Sequence, residues 1–433
     1  MNLSRSLIKW QMILAGRGKP TKLEIDAQLA RRAREKCSST TFVGITGSMG
    51  KSTCSALLTW LLAGQHRVAG SLLYNAPKDV MQRLGAMHKD AEFAVFELSG
   101  HAPGILKQSC GVLQPAVGIV TAVSNDHFAS FRSQDRIAEE KSVLPQSVSA
   151  SGLVLLNLDD PNVAAMRETT AARVVTYGES VDADYRAEEV TFNGSAGLSF
   201  ICCNANERIK VTLPVAAQHF LTAALAAIAC SHQLGLAWPT IVERANHFSG
   251  LFGRCSRSEI SDQRLVIHDT IKAPYTTVEA AFKVLHSYTH APRKTIVLGN
   301  FSDYAGSFSA KARKLVRAGL SQADRVWLYR QPSRFRLPEE ASSERVAFFD
   351  TLEELEQAFQ TDRVPGEVIF LKGSIVHGLN TLFIDEFAAV DKTINLDTLM
   401  AQEWSQFRAS EPSMEQGLVW YGVHSNESSF PLL

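Results

Sequence analysis

The sequence predicts an α/β chain of two successive units, each built on a mostly parallel sheet. Three observations carry this expectation. An apolar strand around Phe42, Val43 and Ile45 runs through a glycine-punctuated loop into an apolar helix marked by Ala56, Leu57, Leu58, Leu61 and Leu62. Apolar runs at 91–98, 116–123 and 152–158 then alternate with helical patterns such as 133–144. After a glycine break at 249–254 the alternation resumes, with strands at 265–269, 294–298, 325–329 and 367–371.

In chain order, residues 1–40 read as a short helical segment, interrupted at 16–20 and continued by a helix over 22–37. Residues 41–250 form a central α/β domain. Within it, strand-like runs at 189–192, 198–203 and 209–213 are separated by Asn193-Gly194 and by 204–207, the pattern of a small antiparallel β insertion. Helices follow at 218–234 and 239–248. Residues 251–390 form a Rossmann-like C-terminal α/β domain, with helices near 277–288, 309–320, 352–359 and 375–387. Residues 391–433 are a tail with one helix near 396–407.

A chain of 433 residues is long enough for two or three domains with their own cores. Formal net charge is zero and 45% of residues are hydrophobic, so the composition carries no basic signature of a nucleic-acid partner. The seven cysteines are scattered, without a Cys-x-x-Cys pair, which speaks against zinc and disulfide frameworks and fits the cytoplasm. No run is long enough to span a membrane.

The chemistry centres on the loop Gly47, Ser48, Met49, Gly50, Lys51, Ser52 and Thr53. Backbone N–H groups and a helix N-terminus face an anion there, the lysine meets the outer phosphates, and the serine hydroxyl reaches Mg²⁺. The general phosphate-loop pattern asks for a further glycine where this chain has Ile45.

Other polar groups fall at predicted strand ends, where open α/β sheets bind ligands. Glu97 is a Mg²⁺ ligand candidate. His127, in Asn125-Asp126-His127, is either a metal ligand or a loop histidine. Lys141, among glutamates on a helix, reads locally as part of a solvated face. Asn157 to Pro161 reads equally well as turn chemistry. Asp269, Lys372 and Ser374 end strands of the second unit, where caps and turns are also common.

Taken together, these segments resemble the Mur ligase superfamily of ATP-dependent amide-forming ligases, over roughly residues 41–390. The run Thr46-Gly-Ser-Met-Gly-Lys-Ser-Thr53 resembles that family's shortened phosphate loop. The resemblance implies that Ser52 and Glu97 hold one Mg²⁺, and that His127 and a carbamylated Lys141 hold a second. It implies nucleotide contacts at Gly253-Arg254 and Asp269, and it makes Lys51, His127 and Lys141 catalytic. Lys372-Gly-Ser374 resembles the family's late Lys-Gly-Ser, which places Lys372 and Ser374 at substrate. The segment 298–303 and Phe131-Arg-Ser133 lean toward the branch that adds the D-Ala-D-Ala dipeptide.

Three departures qualify that pattern. Phe220 and Ala223 stand where the family's adenine segment has asparagines, so Phe220 stacking on the base is one substitute. Residues 1–40 are too few for the family's UDP-sugar domain, which suggests another acid or a partner protein that supplies the site. Lys272 replaces a neutral amide and is either solvated or turned to an anionic substrate. The expected activity is ATP-dependent, ADP-forming coupling of a small-molecule carboxylate to an amine through an acyl phosphate. The alternatives are a nucleotide-binding regulatory or partner subunit without ligase activity, and a polymerising ligase of the folate or poly-γ-glutamate kind.

Overall fold

The computed structural model describes residues 2–14, 19–87, 89–124, 128–194, 196–248, 250–251, 253–304, 306–339, 341–342, 344–383, 386 and 418–420. The expected tail helix near 396–407 lies outside them.

Two helices precede the first sheet, α1 (Asn2–Leu14) and α2 (Lys22–Glu35). Thr21 and Glu24 form a reciprocal capping box that starts α2. Arg34, in its last turn, lies 4.0 Å over the Phe42 ring and donates to Leu113 O at 2.8 Å. That places a cation on the open carbonyls of a neighbouring helix end. Helix α2 therefore packs as part of the first lobe. Helix α1 buries Ile8 but leaves Leu7 and Trp10 exposed.

The first lobe runs β1 (Thr41–Thr46), α3 (Lys51–Leu62), β2 (Val68–Ser71), α4 (Pro77–Ala86), β3 (Phe93–Glu97), α5 (Ile105–Leu113) and β4 (Val117–Val120). A single turn α6 (Phe128–Phe131) leads to α7 (Gln134–Ser147), capped by the Ser133 side chain. Strand β5 (Leu153–Asn157), the short α8 (Pro161–Ala164) and β6 (Arg173–Gly178) complete the parallel part. Strands β7 (Tyr185–Asn193), β8 (Gly197–Cys203) and β9 (Arg208–Leu213) are antiparallel and extend one edge of the same sheet. The predicted hairpins are thus appended to the sheet edge. Helices α9 (Leu221–Gln233) and α10 (Trp238–Ala245) follow.

The order β2-β3-β1-β4-β5-β6-β7-β8-β9 puts β1 in the interior of the sheet between β3 and β4. On one face α3 and α9 bury Cys54, Leu57, Leu58 and Ala223 to Ala229. Leu84, Leu106, Leu113 and Leu144, from α4, α5 and α7, cover the other. At the outer edge Leu418–Trp420 (β16) pairs parallel with β2, a strand that the tail's polar composition did not suggest.

The second lobe has strands β10 (Ser256–Ile260), β11 (Arg264–Asp269), β12 (Lys294–Leu298), β13 (Arg325–Tyr329), β14 (Val346–Phe349) and β15 (Val368–Lys372), in the order β10-β11-β15-β12-β13-β14. All pairs are parallel except β10 with β11. Helices α11 (Tyr275–Phe282), α12 (Phe308–Leu320) and α13 (Leu352–Thr361) cover it. The short strand β2, the edge strands β10 and β14 and the strand β6 escaped the sequence pattern.

The lobes meet at the β7–β8 turn. A Cβ on Gly194 would fall 2.6 Å from the Tyr288 ring. Arg257 Nη1 donates to Gly194 O at 2.9 Å, and Phe192 meets Tyr288 edge-on. Gly194 therefore serves close packing between lobes as well as the hairpin turn.

Candidate active site

The phosphate loop follows β1. Ile45 lies inside that strand, paired with Glu97 on one side and Ile119 on the other. The strand continues through the position where the general pattern has its first glycine, so the loop is shorter. Gly47 has φ 140°, and a Cβ there would sit 2.0 Å from Thr121 Oγ1. Ser48 N donates to Ala122 O at 2.7 Å, and Thr121 Oγ1 donates to Met49 O at 2.5 Å. The loop is thus laced to the end of β4. Gly50, at φ 78°, turns the chain into α3. Cys54 N makes the first i to i−4 bond, to Gly50 O, so the amides of Lys51, Ser52 and Thr53 head the helix as anion donors. Lys51 Nζ folds back to Gly47 O at 2.5 Å, over the cradle. The Met49 side chain is exposed at its mouth.

Ser52 Oγ donates to Glu97 Oε2 at 2.8 Å, joining the head of α3 to the end of β3. Glu97 also accepts Leu73 N at 3.2 Å and Asn75 Nδ2 at 2.7 Å. It is 2% exposed. A hydroxyl and a carboxylate oxygen beside a phosphate cradle fit Mg²⁺, which takes few carboxylates and fills its shell from phosphates and water. Asn75 and Leu73 were not foreseen. Their positions carry no periodic signal, and the left-handed φ of 65° that aims Leu73 N cannot be read from a leucine.

Lys141 overturns its local reading. It is 2% exposed instead of solvated, and its Nζ donates to Gly100 O at 3.1 Å, just past Glu97 on the same chain. A Cβ on Gly100 would approach Nζ to 2.9 Å. Its neighbour Glu140 is also buried and accepts Gly104 N and Leu106 N, both at 2.7 Å, at the start of α5. A carboxylate there complements the helix dipole.

The cluster ending β5 is structural in its contacts. Asn157 Nδ2 donates to Thr121 O at 2.9 Å, and Asp160 accepts Val123 N at 2.6 Å. Asp159 accepts the amides of Glu179 and Ser180. The bonds to Thr121 O and from Val123 N hold the end of β5 against the segment after β4. His127, with Asn125 and Asp126, lies outside the described residues.

In the second lobe, Gly253 has φ 74°, and Arg254 Nε is buried with no hydrogen-bond partner among the described residues. Lys372 Nζ meets Asp269 Oδ2 at 2.6 Å and Lys272 O at 2.9 Å. The Lys272 side chain is exposed, and Ser374 is half-buried. Phe220 is 3% exposed, packed in the core, so its face is not open to a base. The neighbouring His219 stacks on it, with ring centres 4.9 Å apart, and faces solvent.

A short phosphate loop, a Ser–Glu pair beside it and a parallel sheet define a phosphate-loop nucleotide-binding lobe joined to a second α/β lobe. Residues 45–231 match the family model of the Mur ligase middle domain. The chain is 28% identical over 274 residues to the UDP-N-acetylmuramoyl-tripeptide--D-alanyl-D-alanine ligase of Mycobacterium bovis, covering 61% of this chain and 53% of that one. The chain thus spans about half the length of that relative. The Bacillus subtilis protein of the same name is 26% identical over 349 residues, 77% of this chain and 73% of its own. The fold is shared with MurF from Acinetobacter baumannii, at TM-score 0.74 and 23% identity, covering 84% of this chain and 80% of that one. It is also shared with MurF ligase from Thermotoga maritima in complex with ADP, at TM-score 0.69 and 19% identity, covering 86% and 85%. No helix among the described residues is long and apolar enough to cross a membrane.

Proposed function

We propose that the protein is an ATP-dependent, ADP-forming ligase that activates a carboxylate as an acyl phosphate and couples it to an amine. The burial of Lys141 at Gly100 O, beside the strand end that carries Glu97, is the observation that favours this over a nucleotide-binding subunit. A lysine kept only for a surface ion pair gains nothing from being taken out of water. Burial beside a phosphate site is the setting in which carbamylation would turn it into an anionic ligand.

In this reading the Lys51 ammonium and the α3 amides hold the terminal phosphates of ATP in line with the acyl oxygen. Ser52 and Glu97 would hold one Mg²⁺, and carbamylated Lys141 with His127 a second. The metal supplies neutralisation of phosphoryl charge. Arg254, whose Nε has no hydrogen-bond partner among the described residues, would donate to nucleotide or acyl phosphate from the second lobe. Gly250, at φ 96°, and Gly253 form the hinge on which the lobes would close and keep water from the acyl phosphate. Asp269 and Lys372 act as a pair that shapes the second lobe's edge, with Ser374 beside it. Exposed Lys272 is the cation offered to an anionic substrate. His219 replaces Phe220 as the ring available to the adenine. No observation speaks for a partner protein at the acid site.

The names of the matched relatives make a muramoyl-peptide acid and a D-alanyl-D-alanine amine the first pair to test, within a broad panel of acids and amines. ADP release that depends on both substrates, and is lost in Lys51→Ala, is the expected result. No ADP from any pair, while a ligase of known activity releases it alongside, overturns the proposal.

A further inference from the structure

Residues 1–40 are charged unlike the rest of the chain. They hold nine Lys or Arg against three Asp or Glu, while the formal net charge of the whole is zero. The chain from Thr41 onward is therefore acidic by six charges, and the first two helices are basic by six. Lys9, Lys22, Arg31 and Lys36 are exposed. Of the three carboxylates, Asp26 is buried and Glu24 closes the capping box with Thr21.

The fold makes α1 an outer layer. Helix α2 lies on α4 and α5, and α1 lies on α2. Ile8 is buried, and Arg32 Nη2 donates to Gln11 Oε1 at 2.7 Å, so one face of α1 is taken up by α2. Positions 3, 7, 10 and 14 recur at helical spacing and are Leu, Leu, Trp and Leu. Within that stripe the Leu7 and Trp10 side chains are 56% and 63% exposed. Leu23, in the first turn of α2, is exposed as well. Trp60, Trp238 and Trp327, by contrast, are half-buried or buried. An open apolar face on a basic hairpin matches a surface that is apolar just beneath a negative layer. The headgroup region of an anionic bilayer is such a surface, since it takes up Trp and Leu side chains and attracts Lys and Arg. A nucleic acid would answer the charge and leave the apolar stripe in water. With 13 residues α1 is about 20 Å long, too short to cross a bilayer and suited to lie in its plane.

We propose that the α1–α2 hairpin docks the protein on an anionic lipid bilayer, with Leu7 and Trp10 seated among the headgroups and the neighbouring Lys and Arg facing the lipid phosphates. The inference goes beyond the proposed function and uses none of its residues.

The test is flotation of the full chain with vesicles of phosphatidylcholine alone and of phosphatidylcholine containing about one-third phosphatidylglycerol. The protein is expected to float with the anionic vesicles, to leave the neutral ones, and to be released as salt is raised. Leu7→Ser with Trp10→Ser is expected to lower the partition coefficient at least about tenfold. Lys9→Gln and Arg31→Gln are expected to lower it about fivefold each. All four side chains are exposed or lie on the outer helices, so melting temperature should stay at the wild-type value and separate lost docking from lost folding. Tryptophan emission is expected to shift to the blue on anionic vesicles, and Trp10→Phe should float while losing that shift. Equal binding to neutral vesicles, binding that survives Leu7→Ser with Trp10→Ser, or no binding at all overturns the inference. So does a wild-type chain that self-associates through Trp10 and ignores vesicles. ADP release is measured without lipid, so each of these outcomes leaves the proposed function standing.

Discussion

Lys372 Nζ lies 2.6 Å from Asp269 Oδ2, and the two residues are register partners at the carboxyl ends of adjacent parallel strands. The lysine side chain is 4% exposed and the aspartate 16%. The same ammonium donates to Lys272 O, so one charge closes the turn after β11 and pins β15 to it. Two residues that read singly as strand-end turns thus act as a unit.

Breaking that unit from one side leaves a buried charge without its counterion. Lys372→Met is expected to cost about 3 kcal/mol or more of stability. The Lys372→Met, Asp269→Asn double variant is expected to recover part of that loss, because it removes both charges. Urea unfolding of the single and double variants checks this. Additive losses would show that the pair is not coupled.

Gly47→Ala is expected to abolish nucleotide binding. The new Cβ would meet Thr121 Oγ1 at 2.0 Å, and φ 140° is strained for alanine. The loop would have to leave the position fixed by Ser48 N and Met49 O. Calorimetry with ADP reads the affinity, and an affinity within twofold of wild type would contradict this geometry.

Lys141→Ala is expected to lower ATP turnover about 100-fold or more, on the scale of losing one preorganised charge-stabilising group. If the working form is a carbamate, a short carboxylate such as acetate should enter the vacated space and restore part of the rate. Gly100→Ala should impair activity too, since its Cβ would stand 2.9 Å from Nζ. Turnover of Lys141→Ala unaffected by acetate over a range of concentrations would argue against the carbamate.

His268 gives the protein an acid-sensitive term. It is fully buried in β11, and burial lowers its pKa from 6.5 to about 3. The folded chain therefore holds this ring neutral at pH values where the unfolded chain protonates it. The stabilising contribution is complete above about pH 6.5 and is lost as pH falls toward about 3. The slope approaches about 1.4 kcal/mol per pH unit over that window. Melting temperature is expected to fall between pH 7 and pH 5, and His268→Gln should flatten part of that fall. An unchanged pH dependence in the variant would remove His268 as its source.

Much of the fold was legible because its signals are local. The apolar strand before Gly47, the Gly50-Lys51-Ser52 helix start and the alternation of strands with helices follow from short-range pattern and chain stereochemistry. The antiparallel runs were visible through Asn193-Gly194 and period-two patterning. Strands such as Val68–Ser71 and Val346–Phe349 were not, because four residues carry too little pattern.

The sequence by itself determined the phosphate cradle and the kinds of groups available to it: Lys51, Ser52, Glu97 and Lys141. Tertiary structure alone decided their states. It took Lys141 out of solvent, turned Phe220 into the core and left His219 open. It also paired Lys372 with Asp269 and brought Asn75 onto Glu97 across a strained leucine. The physical reason is that burial and hydrogen-bond partners depend on which strand ends the sheet order makes adjacent. That adjacency joins residues tens of positions apart, beyond the reach of any local pattern.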